Sequence, residues 1–158
     1  MKAWLICLST WLAGPALALS CLPSDVAYSF SQADAAGEDY IVVHGTLEFD
    51  PPDAAGSDAL QTAPDTTRLR ARLNGKALDR SGFETTFSQD VTLDLICVAS
   101  WCGYAESGKS YLAFLKRDGS DYVLTIDPCY AWLFPSPNEA QLQQVVSCMR
   151  GNCRPGAE

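Results

Sequence analysis

Histidine is almost missing from this 158-residue chain, and His44 is the only one. A catalytic triad or a two-histidine metal site has that single imidazole to draw on, so the common histidine-based chemistries lack their bases and ligands. Positive charge is scarce as well. Eleven Lys and Arg stand against nineteen Asp and Glu, a formal net charge of −8. A phosphate-backbone partner needs clustered cations to release counterions, so no nucleic-acid partner is expected. Internal repeats and low-complexity tracts are absent, and past the N-terminus no apolar run approaches the roughly 18 residues that span a bilayer. What remains is 47% apolar residues, four Trp, six Tyr, six Phe and seven Cys. That is too apolar for a disordered acidic tail, and the length suits one domain with a real core.

The N-terminus carries a compartment signal. Lys2 precedes an apolar run from Ala3 to Leu19, broken only by Ser9, Thr10, Gly14 and Pro15. This is the layout of a secretory signal peptide over residues 1–20, and a mature, exported protein without a transmembrane segment is expected, secreted or periplasmic. Ala16-Leu17-Ala18 offers cleavage after Ala18, while Ala18 and Ser20 offer cleavage after Ser20, which would make Cys21 the terminal residue. A third reading is a lipoprotein tethered through Cys21, but Ala18 stands where a lipobox has a branched apolar residue.

Loss of the leader removes Cys7 and leaves six cysteines: Cys21, Cys97, Cys102, Cys129, Cys148 and Cys153. In an oxidising compartment an even set of spaced cysteines is a disulfide framework, and six allow fifteen pairings that spacing alone cannot choose among. The competing reading is a zinc site built from the two C-x4-C pairs. Exported thiols are normally oxidised and the tight C-x2-C knuckle is missing, so no metal or cofactor is expected.

Along the mature chain, residues 21–37 read as irregular or briefly helical. Tyr40 to Phe49 alternates Ile41, Val43, Leu47 and Phe49 against His44, Thr46 and Glu48, the period of a half-buried strand, with Gly45 marking a bulge or bend. Residues 50–65 hold Pro51, Pro52, Gly56, Pro64 and acidic side chains and read as a long surface loop. A strand over Thr66 to Leu73 is predicted to end in a hairpin turn at Asn74-Gly75. A short strand from Phe83 to Phe87 and a separate one from Val91 to Val98 follow. Tyr111 to Leu115 and Asp121 to Ile126 flank Arg117-Asp118-Gly119-Ser120, a second hairpin. Ser136-Pro137-Asn138-Glu139 predicts a capped helix with proline at its first position, running through Leu142, Val145, Val146 and Met149 to about Arg150 and stopping at Gly151. Five or so strands with one closing helix suggest a small closed or partly open barrel.

Gly103 to Ser110 matches the phosphate-binding pattern G-x-x-x-x-G-K-[ST] at every fixed position. Such a loop works by presenting backbone N–H groups at the start of a helix, whereas here it leads into an alternating aromatic segment, so it is read as a decoy and no catalysis is expected. The carboxylate pairs Asp50/Asp53 and Asp118/Asp121 have spacings ordinary in turns. Trp101, Tyr104, Tyr130, Trp132 and Phe134 gather near Cys102 and Cys129. Two readings stay open for them: core packed on disulfides, or an aromatic ridge for a partner.

Cys102-Gly103, then Gly108-Lys109-Ser110-Tyr111-Leu112, then Cys129 and a cysteine-bearing C-terminal helix resemble the netrin-like module, the family that includes the N-terminal domain of the tissue inhibitors of metalloproteinases. Cys21-Leu22-Pro23, Ala33-Asp34 and Val42-Val43-His44-Gly45-Thr46 resemble the front of that module, so the likeness covers most of Cys21 to Cys153. It implies, over residues 21–154, a mainly β, five-stranded OB-fold-like barrel with a short N-terminal segment and a C-terminal α-helix, stapled by disulfides. It further implies that Cys21 bonds Cys102 or Cys129, and that Cys148 lies near Cys153. The function it implies is binding a protein partner, with Cys21, Trp101, Tyr104 and Trp132 as the expected contact residues. A metalloprotease is one such partner, if Cys21 is the mature N-terminus and chelates the protease zinc. Pro23 stands where those inhibitors have a second cysteine, which makes the generic module the carry-over.

Overall fold

A computed structural model describes Cys21 and residues 25–50, 66–98 and 101–154. The expected leader, 1–20, and all but the first residue of the expected loop, 50–65, lie outside the described residues. In chain order the elements are α1 (Val26–Ala35), β1 (Tyr40–Phe49), β2 (Thr66–Asp79), β3 (Gly82–Val98), β4 (Trp101–Cys102), β5 (Lys109–Asp118), β6 (Asp121–Ile126), β7 (Leu133–Pro135) and α2 (Glu139–Met149).

Five strands pair in the order β1-β2-β3-β6-β5, and β5 pairs back onto β1, so the sheet closes into a ring. All these contacts are antiparallel except β3 with β6, which is parallel. Register carries Phe49 to Ala71 and Ala71 to Val91. The parallel pairing of Thr92 with Val123 continues this line to Tyr122, which faces Arg117, whose N–H bonds the Asp39 carbonyl at 2.7 Å. One circuit that leaves β1 at Phe49 therefore returns at Asp39, ten residues earlier. Such a stagger is what tilted strands need in order to close. β7 pairs with β5 outside the ring, and β4 pairs only with β3.

Asn74-Gly75 is not a turn. β2 runs through it to Asp79, and Gly75 faces Gly45 of β1 on one side and Phe87 of β3 on the other. A Cβ at Gly75 would meet the His44 carbonyl, and one at Gly45 would meet the Asn74 carbonyl. The glycines serve close approach of two strands rather than a reversal. The chain turns at Arg80-Ser81, where the Asp79 carboxylate accepts the N–H of Ser81 at 2.7 Å and of Gly82 at 3.2 Å. The two expected strands after it are one, Gly82–Val98. Its polar stretch is simply the solvent side, while Phe87, Val91 and Leu93 enter the core.

Two apolar clusters result. One fills the ring, with Val43, Leu47, Leu73, Leu93, Leu115 and Leu124 at its centre. The other lies between the ring and the helices and joins Val42, Leu112, Phe114 and Phe134 to Val26 of α1 and Val145 of α2. β5 is thus buried on both faces from Tyr111 to Leu115, beyond the simple alternation expected for it. The cap of α2 is Asn138, not Ser136: Asn138 and Gln141 bond each other's backbone N–H, and Pro137 precedes the cap. Past Met149 the Gly151 N–H bonds Cys148 and the Asn152 N–H bonds Ser147, with Gly151 at φ 86°, the left-handed ending expected there.

Three disulfides pin this arrangement: Cys21–Cys129, Cys97–Cys102 and Cys148–Cys153. Of the two partners the family resemblance offered Cys21, the structure shows Cys129. The set is the mark of an oxidising, extracytoplasmic location. No helix among the described residues is long and apolar enough to cross a membrane.

Candidate partner-binding face

β3 continues beyond its parallel pairing with β6, and there it meets β4. Cys97 lies opposite Cys102 and Val98 opposite Trp101, so the disulfide clamps a hairpin whose outer pair is Val98 and Trp101. Both are exposed, Val98 by 47% and Trp101 by 62%, and Tyr104 by 55%. Apolar and aromatic side chains grouped in water are a mark of interaction surfaces. Val98 was not among the expected contact residues, although its place at the end of the alternating run from Val91 is the signal that finds it.

Gly103 sets the position of Tyr104. Its N–H bonds the Ile96 carbonyl at 2.8 Å, and a Cβ there would collide with the Ile126 carbonyl, so only glycine lets the chain pass against the end of β6. Beside it, the Asp127 carboxylate accepts the Cys129 N–H at 2.7 Å, and its carbonyl accepts the Tyr130 N–H at 3.1 Å. Tyr130 is held at φ 54°, a left-handed backbone that a tyrosine adopts only under constraint. Burial pushes the Tyr130 hydroxyl pKa up, and neighbouring Tyr104 and Asp127 push it further. Burial likewise raises Tyr111, whose hydroxyl accepts the Glu106 N–H at 2.8 Å. Cys21, exposed, is bonded to Cys129 and so reaches this same turn.

The expected aromatic cluster therefore divides. Trp101 and Tyr104 stand in solvent, whereas Trp132 stacks on Tyr40 at 5.1 Å and meets Phe114 edge-on at 6.2 Å, touching both apolar clusters. Phe134 is 2% exposed. Trp132 is half-buried and braces this region through those ring contacts.

The stretch that matches a phosphate loop enters β5, a strand, where phosphate binding needs a helix start. Three of its N–H groups are already committed: Gly103 to Ile96, Gly108 to Leu47 at 2.7 Å, and Glu106 to the Tyr111 hydroxyl. Lys109 pairs with Glu106 at 3.8 Å. His44 lies at half-burial on β1, 3.2 Å from the Ser110 hydroxyl and edge-on to Phe83 at 5.8 Å, and burial lowers its pKa. Asp118 and Asp121 face each other across the β5–β6 turn, and Asp53 lies outside the described residues. Among the described residues no cluster of His, Cys, Asp and Glu is arranged to hold a metal ion. No protein-family model, no curated protein and no solved structure matches this chain.

Proposed function

We propose that this is an exported binding module of the netrin-like kind, an OB-type barrel that engages a protein partner through the Val98, Trp101 and Tyr104 face and catalyses no reaction. The observation that carries the reading is that exposed face, held stiff by Cys97–Cys102 below it and bordered by the turn that Cys21–Cys129 anchors. Aromatic side chains at a preorganised tip lose little entropy on docking, and truncating such anchors costs about 2 kcal/mol or more in known interfaces. The five-strand ring with one parallel contact and the C-terminal helix support the barrel reading.

The test is capture of partners from the native extracytoplasmic fraction by the oxidised protein and by a Trp101→Ser, Tyr104→Ser variant of equal thermal stability. Loss of a specific partner by the variant supports the face. Capture of the same partners by both proteins refutes it.

A second reading is favoured by the exposed position of Cys21 beside Tyr130. If cleavage follows Ser20, the free amino group and carbonyl of Cys21 can chelate a protease zinc, and metalloprotease assays at micromolar protein decide it. Acylation of Cys21 is the weakest reading, since a thioether-linked lipid needs the sulfur that bonds Cys129.

A further inference from the structure

If Val98, Trp101 and Tyr104 form the partner-binding face, as proposed above, the charge around them selects what they bind. Eleven Lys and Arg occur in the chain, yet none falls between Ser81 and Gly108 or between Asp118 and Met149, the two stretches that carry the tip and the turn beside it. Each stretch holds four Asp or Glu. Two cations on neighbouring strands are already engaged, Arg68 with Asp94 at 2.8 Å and Lys109 with Glu106 at 3.8 Å. The tip therefore stands in a field of negative sign, on a chain whose formal net charge is −8.

One carboxylate belongs to the tip itself. Gly103, between Cys102 and Tyr104, passes so close to the end of β6 that a Cβ on it would stand 2.9 Å from the Asp127 nitrogen. Asp127 gives one oxygen to the Cys129 N–H at 2.7 Å, which leaves the other to a ligand. Among the described residues the ring that carries a cation is Tyr122, with Arg117 at 5.7 Å, whereas Trp101 and Tyr104 present open faces to solvent. An aromatic face attracts a cation, Trp most strongly, and the attraction grows as the pair is desolvated. The same field repels nucleic acids and anionic lipid headgroups, and an uncharged partner would make no use of it. A guanidinium uses every part: it stacks flat on a ring and donates to a carboxylate from its edge.

We propose that the tip receives a basic, arginine-bearing segment of its protein partner, with a guanidinium stacked on the Trp101 and Tyr104 faces and hydrogen-bonded to Asp127.

The test uses the oxidised, exported chain and blocked octapeptides of alternating Gly and Arg, Gly and Lys, or Gly and Glu, titrated to about 1 mM by calorimetry. Phosphatidylglycerol vesicles serve as the membrane alternative. The Arg peptide is expected to bind, more tightly than the Lys peptide, and to weaken about tenfold between about 50 and about 300 mM salt. Trp101→Ser is expected to weaken it about tenfold, and so is Asp127→Asn, whose amide oxygen still accepts the Cys129 N–H; neither change is expected to lower Tm. The proposal is overturned if the Arg peptide does not bind or if the Glu peptide or the vesicles bind instead. It is also overturned if both variants bind the Arg peptide normally, which would place that peptide on the acidic surface at large. Competition separates this outcome from failure of the face itself. A partner lost in the Trp101→Ser, Tyr104→Ser variant but not displaced by the Arg peptide keeps the face and refutes its basic ligand, whereas capture that ignores the tip refutes both.

Discussion

Gly45 and Gly75 show how much one missing methyl can determine. Each lies where the backbone of the neighbouring strand occupies the space a Cβ would need. Gly75→Ala is expected to cost about 3 kcal/mol by overpacking, seen as a lower midpoint in chemical denaturation, and a variant as stable as the native protein would contradict the strand contact. His44 makes a pH prediction. Its folded pKa lies below the ordinary 6.5, because burial disfavours the charged ring. The unfolded chain then binds the proton more readily, so stability is expected to fall as pH drops below about 6.5 and to level off under the folded value. Denaturation midpoints between pH 7.5 and 5, compared with those of His44→Gln, isolate the effect from the carboxylates. Asn74-Gly75 also marks where local chemistry misleads, since the pair has the composition of a tight turn and only the approach of β1 decides against it.

At the scale of elements, α2 was the most readable. Leu142, Val145, Val146 and Met149 give its apolar face and Gly151 its end, both as found. Its start was displaced by two residues because Ser136 and Asn138 are both cap formers, and Gln141 reciprocates only with Asn138. Asn138→Ala is therefore expected to destabilise by about 1 kcal/mol and Ser136→Ala by much less, a contrast that thermal melts can read. β3 was split in the sequence because the polar Ser88 to Asp90 looks like a connection, whereas a strand with one wet face needs an apolar residue only at alternate positions. The second hairpin and β1 were legible because their alternation is clean. The double burial of β5 was not, since it depends on helices that arrive from both ends of the chain.

At the scale of the molecule, what lay beyond the sequence was pairing. Ring closure depends on register between β1 and β5, some seventy residues apart, and fifteen disulfide patterns were open. The three bonds found are unequal in reach. Cys21–Cys129 spans 108 residues, whereas the other two span 5 each. By loop-closure entropy, replacing Cys21 and Cys129 with Ser is expected to cost about 4.7 kcal/mol, against about 2 kcal/mol for Cys97 and Cys102. Equal losses would mean that the long bond does not restrain the unfolded chain. The candidate face was half legible: Trp101 and Tyr104 stand out in the sequence, but the packing of Trp132 on Tyr40 and the exposure of Val98 emerge only once the strands are paired.

Export, the stapled ring and the rigid aromatic tip all require one covalent state. The measurement that tests it is the intact mass and N-terminal residue of the protein recovered from its expressing cells, before and after reduction. A chain that begins at Leu19 or Cys21, carries no lipid and gains two hydrogens for each of three disulfides on reduction is the expected result. A chain that still begins at Met1, an acylated Cys21, or free thiols before reduction would contradict it.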